Sequence, residues 1–134
     1  MAHNFKKAIV IGGSKGIGAQ ISQHIKSLKI KTISCSRKEI DTTSLESVNN
    51  FLKKHKSTDV LVLNSGGPPA LKFEKIKITD WKKYFNQLFL SYVVLLQKIK
   101  ILKNFLANLF WKESFIMPKK VNYLTIFMYP PIQL

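Results

Sequence analysis

The sequence predicts an α/β domain, a parallel sheet with helices flanking it. Three observations predict that class. Residues 8–11 and 60–63 are short, purely apolar runs of the kind found in strands buried on both faces. Stretches with helical spacing of apolar residues lie between and after them, and a glycine-rich turn follows the first run.

Each element has its own local reason. The first strand, Ala-Ile-Val-Ile at 8–11, stops at Gly12-Gly13. Ile17, Ile21, Ile25 and Leu28 then fall on one face of a helix, which predicts the buried stripe of the first helix. Residues 30–35 alternate and are rich in β-branched types, so they form a second strand. Thr43 followed by Glu46 has capping-box spacing and opens a helix that turns Leu45, Val48 and Leu52 inward. The strand at 60–63 ends at Asn64-Ser65-Gly66-Gly67-Pro68-Pro69, where neither a strand nor an early helix can continue. Thr79 caps a long helix that begins near Asp80-Trp81 and is expected to run past Leu102. Trp81, Phe85, Phe89 and Tyr92 share one face of it, a stripe read as core or subunit interface.

Beyond about Leu102 the pattern changes. From Phe105 to Phe110 the apolar residues lose a clean face, Pro118 interrupts the chain, and 121–128 has the composition of a further strand closed by Pro130-Pro131. The expected organisation is therefore an α/β domain at 1–103 and an irregular tail at 104–134. The tail is either out of the ancestral reading frame or a replacement strand.

Composition narrows the chemistry. The 134 residues suit one domain. A single cysteine, Cys35, excludes an internal disulfide framework and fits a reducing cytoplasm. His3, His24 and His55 are far apart without clustered carboxylates, so no metal site is expected. The densest apolar stretch, 88–96, is closed by Gln97-Lys98 and is too short to span a bilayer. The first seven residues run straight into a strand, and no secretory leader is expected. The formal net charge of +15 raises nucleic acid or an anionic membrane as partners. Arg37 is the one arginine among 22 basic residues, however, and no lysine run exceeds two. Specific nucleic-acid readers favour the planar guanidinium fork. A non-catalytic basic binding module is kept as the alternative reading, with no specific nucleic acid expected.

Gly12, Gly16 and Gly18 lie between the first strand and the first helix with the spacing G-x-x-x-G-x-G. Gly12 permits the tight turn, Gly16 lets the backbone approach a pyrophosphate, and Gly18 lets helix and sheet pack closely. The free N–H groups and positive dipole end of the helix then face the phosphates. A Walker loop is excluded, because Lys15 precedes Gly16 where that motif has Lys-Ser/Thr after the glycine.

With Asn64-Ser65-Gly66 after the third strand, the sequence resembles the short-chain dehydrogenase/reductase family in its cofactor-binding part. The family's T-G-x-x-x-G-x-G is matched by Ile11-Gly12-Gly13-Ser14-Lys15-Gly16-Ile17-Gly18, and its N-N-A-G by Leu63-Asn64-Ser65-Gly66. The resemblance covers roughly residues 6–103. It implies a Rossmann-type parallel sheet and a nicotinamide dinucleotide held by Gly12, Ser14, Lys15, Gly16, Ile17, Gly18, Asn64, Ser65 and Gly66. It also places the adenosine ribose at the end of the second strand, where Ser36-Arg37-Lys38 stands and the acidic residue of NAD-preferring members does not. Arg37, with Lys15, would meet a 2′-phosphate, so NADP(H) is favoured over NAD(H). Asp41 resembles the family's aspartate near the adenine edge and reads equally as a turn residue before a helix.

The resemblance also exposes what is missing. Only three residues separate Arg37 from Asp41, where the family has a helix and a strand. The sheet is therefore expected to be truncated, lacking that outer helix–strand unit, with order 2-1-3. The family's reaction is carbonyl reduction or alcohol oxidation by hydride transfer. It uses a tyrosine with a lysine four residues later, and a serine. Here Leu88, Leu96, Phe127 and Gln133 stand four residues after Tyr84, Tyr92, Tyr123 and Tyr129. Ser114 and Tyr129 lie where the serine and tyrosine belong, but Gln133 supplies no cation. Leu88 occupies the place of the family's helix asparagine. No catalytic residue is assigned, and Cys35 reads as a core thiol. In the family the helix beginning near Asp80 packs against its copy, so a homodimer is the expected assembly.

Overall fold

A computed structural model describes residues 5–68 and 72–102. The tail at 104–134, with Ser114, Tyr123, Tyr129 and the strand expected at 121–128, lies outside the described residues.

Strand β1 (Lys7–Ile11) is the axis of the molecule. It runs parallel to β2 (Lys31–Cys35) on one side and to β4 (Val60–Leu63) on the other, giving the order β2-β1-β4. Among the described residues no strand lies outside β2, as the short Arg37–Asp41 connection implies. Ala8, Ile9 and Val10 are fully buried, which explains why this strand is apolar on both faces. Alternation sends Ile9 and Ile11 into a core with Cys35, Val48, Phe51, Leu61, Leu63 and Leu95. The other face of β1 meets helix α1 (Gly16–Ser27), which packs on β1 and β2.

Helix α1 does not bury the stripe its periodicity suggests. Ile17 and Leu28 are more than half exposed, Ile21 and Ile25 are half-buried, and Gly18 and Ser22 form the buried line. The reason is distance. Gly18 and Ser22 bring the helix close to the loop after β1, and a larger side chain on that line would hold it away.

Helix α2 (Leu45–Lys54) begins one residue later than Thr43 suggests. Ser44 is the cap, its hydroxyl accepting from the Ser47 N–H at 3.3 Å. Thr43 is engaged elsewhere: its N–H and hydroxyl both donate to Asp41 Oδ1, at 2.9 and 2.7 Å. Val48, Phe51 and Leu52 face the core.

The long helix is also revised. It starts at Ile78 with Lys77 as an uncapped boundary, so Thr79 lies inside the first turn. It runs as α3 (Ile78–Phe85), a π-helical segment (Asn86–Leu90) and α4 (Ser91–Lys98). It stops four residues short of Leu102. The chain leaves the helix because an alternative set of backbone partners is at hand. Residues Lys100–Ile101 form β5, parallel to β3 (Ser57–Thr58), with Lys100 N–H to Lys56 O and Leu102 N–H to Thr58 O, both at 2.9 Å. At this same end Asp59 clips β1, accepting from the Lys6 and Lys7 N–H groups at 2.7 and 2.9 Å.

The aromatic stripe divides. Tyr92 is buried, while Trp81, Phe85 and Phe89 are about half exposed. Phe73 stacks edge-on to Trp81, and Phe85 lies against Phe89. These three are therefore not core.

Candidate nucleotide site

Because β1, β2 and β4 are parallel, their carboxyl ends share one edge, and Gly12, Ser36 and Asn64 follow directly from them. In sheets of this kind ligands sit outside that edge, where the chain order reverses. The order β2-β1-β4 reverses at β1.

The turn after β1 is built by close approach. Gly12 is left-handed (φ 67°), and a Cβ there would stand 2.1 Å from Asn64 O. A Cβ on Gly18 would stand 2.1 Å from Gly12 O and 2.7 Å from Asn64 Nδ2. Neither distance is sterically possible, so glycine is required at both positions. The Asn64 amide Nδ2 donates to Gly12 O at 3.2 Å, and its backbone N–H donates to Ile11 O at 3.2 Å. On the other side the Gly13 N–H donates to Cys35 O at 2.9 Å. The loop is thus fastened to both neighbouring strands.

Gly13 carries a further constraint that the sequence motif does not single out. Its carbonyl accepts from the Ser22 hydroxyl at 3.3 Å, and a Cβ would meet that oxygen at 2.7 Å. Gly16 is also left-handed (φ 52°), with open space around its missing Cβ. Ser14, Lys15, Gly16 and Ile17 are exposed at the start of α1, and no side chain caps the helix. Its first N–H groups therefore face outward, as an anion-binding helix start requires.

The loop after β4 closes the edge from the other side. The Tyr92 hydroxyl donates to Ser65 Oγ at 2.8 Å, and the Gln87 side chain donates to Gly66 O. Burial pushes the Tyr92 phenol up, with the Ser65 contact only partly opposing it. Gly66 has nothing near its missing Cβ.

The turn after β2 holds the charged groups. Arg37 Nε pairs with Asp41 Oδ2 at 3.0 Å on the surface. Burial pushes the Asp41 carboxyl up, but Thr43 and Arg37 together outweigh this and hold it low. Asp41 is therefore engaged as a turn residue. Glu39 reaches back to Ser36, whose N–H and hydroxyl both donate to Oε2 at 2.6 Å. That residue was legible only as Ser-x-x-Glu spacing at 36–39. Burial, and secondarily Glu39, push the Cys35 thiol up to about 12, so it is a core thiol and not a nucleophile. Among the described residues no group of His, Cys, Asp and Glu could hold a metal ion, and no helix is long and apolar enough to cross a membrane.

Comparison with known proteins agrees with this geometry. No family model and no curated protein matches the sequence. Solved structures do match. A small-chain dehydrogenase is 25% identical with a TM-score of 0.61, over 71% of this chain and 50% of that one. A small-chain dehydrogenase in complex with NADPH matches with the same identity and TM-score over 71% of this chain and 44% of that one. A short-chain dehydrogenase/reductase from Brucella ovis with a partially ordered NAD is 18% identical, TM-score 0.59, over 71% and 56%. The chain spans about half the length of the structures it matches.

Replacing Gly18 should test the close approach directly. Gly18→Ala is expected to lower unfolding stability by about 1–3 kcal/mol in urea titration, the usual cost of overpacking. Gly66→Ala, in open space, should stay within about 0.5 kcal/mol of the parent. Equal stability of the two variants would contradict the geometry.

Proposed function

With the fold of short-chain dehydrogenases/reductases as the premise, we propose that this chain is the cofactor-binding part of such an oxidoreductase and holds NADP(H) in preference to NAD(H). The observation that carries the reading is the Gly12–Gly18–Asn64 contact, which strips side chains from the edge where a pyrophosphate must meet backbone. A solved neighbour is a complex with NADPH and another holds NAD.

The residues divide the work. The backbone of Gly12, Ser14, Lys15, Gly16, Ile17 and Gly18 receives the pyrophosphate at the uncapped start of α1. Asn64 holds Gly12 in place, and Ser65 and Gly66 line the nicotinamide side. Arg37 meets the 2′-phosphate, with Ser36 and Lys15 beside it. The Arg37–Asp41 pair is a surface contact, with the Arg37 side chain 69% exposed, so turning the guanidinium to a phosphate costs little. Asp41 then remains anchored through Thr43. The bound cofactor supplies hydride for carbonyl reduction or accepts it in alcohol oxidation. The proton-transferring Tyr-x-x-x-Lys pair is absent from the sequence, and the chain is catalytically incomplete on this reading. The lone buried thiol suits the cytoplasm.

The exposed face of Phe73, Ile78, Trp81, Phe85 and Phe89 suits a second copy of the chain. Sedimentation should show a concentration-dependent dimer that Trp81→Glu dissociates. A parent that stays monomeric at high concentration would exclude this assembly.

The cofactor reading has a direct test in thermal unfolding. At one hundred times its dissociation constant, NADPH should stabilise the chain by about 2.7 kcal/mol, and NADH at the same concentration by less. Arg37→Ala should weaken NADPH by about tenfold or more, the value of one hydrogen bond to a charged group, and leave NADH nearly unchanged. No shift with either nucleotide would remove the cradle. Equal losses for both would remove the 2′-phosphate assignment.

A further inference from the structure

Two donors at the end of β2 are already taken by an anion. The Ser36 N–H and hydroxyl converge on one oxygen of Glu39, each at 2.6 Å, while Ser36 Oγ accepts from the Lys38 N–H at 3.1 Å. We infer that Glu39 is an internal anion occupying the 2′-phosphate donors of this chain, and that its displacement sets how strongly a phosphorylated ribose is preferred. The inference rests on the nucleotide reading above and adds a residue that opposes Arg37.

The chemistry is competitive. A phosphate at the ribose 2′ position needs the same N–H and hydroxyl that the carboxylate holds, and it meets a like charge if the carboxylate stays. The Ser36 hydroxyl and N–H also hold the Glu39 carboxyl below its ordinary range, so it is charged at neutral pH. The turn is electrically balanced, with Arg37 and Lys38 facing Glu39 and Asp41. Glu39 is exposed, and its carboxylate is held chiefly by Ser36, with smaller contributions from its own backbone N–H and the Lys38 charge, so it can swing into water. When it leaves, two donors are freed and the negative charge beside them withdraws into solvent. A ribose with a free 2′-hydroxyl gains nothing from that change.

Glu39→Gln and Glu39→Ala, made in the full chain, separate charge from occupancy. Both lie on an exposed turn, and circular dichroism verifies the fold. Calorimetric titration with 2′,5′-ADP and 5′-AMP, then with NADPH and NADH, reads the subsite. Glu39→Ala should tighten 2′,5′-ADP and NADPH by about tenfold, Glu39→Gln by less, with 5′-AMP and NADH within about twofold of the parent. Unchanged affinities for all four would overturn the inference while leaving the cofactor reading intact. Weaker NADH and 5′-AMP would overturn it by making Glu39 an acceptor for the ribose hydroxyl. Weaker 2′,5′-ADP and NADPH would overturn it by making Glu39 a brace for the turn. A parent chain that binds none of the four overturns the nucleotide reading and this inference together.

Discussion

Everything at the functional edge depends on one steric constraint, the approach of Gly18 and Asn64 to the carbonyl of Gly12. A Cβ on Gly18 would sit 2.1 Å from that oxygen, and a Cβ on Gly12 would sit 2.1 Å from Asn64 O. With neither present, α1 lies against the loop and Asn64 reaches across from the end of β4, so three chain segments meet at one point. The same approach decides which face of α1 is buried. Gly18 and Ser22 turn inward, and Ile17 and Leu28 remain in water. Burial of the isoleucine stripe is given up there for close backbone approach, a local conflict between periodicity and packing.

The charged turn after β2 works by a different principle. It is a surface turn in which Arg37 pairs with Asp41 and Glu39 is held by Ser36. Each pair is cheap to break, because exposed ion pairs contribute little. The fold supplies only the location, through the parallel register Ile11↔Cys35 that brings the end of β2 beside the glycine loop. Tyr92 and Gln87, on the helices across the edge, fix the Ser65–Gly66 loop in the same way from the other side.

Much of this was legible in the sequence wherever local and global demands agree. The runs at 8–11 and 60–63 read as buried strands, and the glycine spacing between strand and helix reads as a tight turn. The sheet order came with the family resemblance, cut back by the short connection between Arg37 and Asp41. Elements made by pairing alone were not legible. Strands β3 and β5 have two residues each and exist because Ser57 and Lys100 meet in space, and that meeting ends the long helix at Lys98. Thr43 and Ser44 are equally good caps by type, and the choice fell to Ser44 because Asp41 had engaged Thr43. Beyond its spacing from Ser36, Glu39 was not legible, because nothing in the run Ser36-Arg37-Lys38 signals that the serine turns its donors to a carboxylate three residues on.

The central claim is that the glycine cradle and the two loops beside it form one dinucleotide site. Amide chemical-shift mapping by NMR during titration with NADPH tests it most directly. The account predicts shifts concentrated at residues 12–18, at 36–39 and at 64–66, saturating together with a single dissociation constant. Shifts confined to the exposed lysines of the outer helix faces, or an unperturbed spectrum of the folded chain, would contradict it.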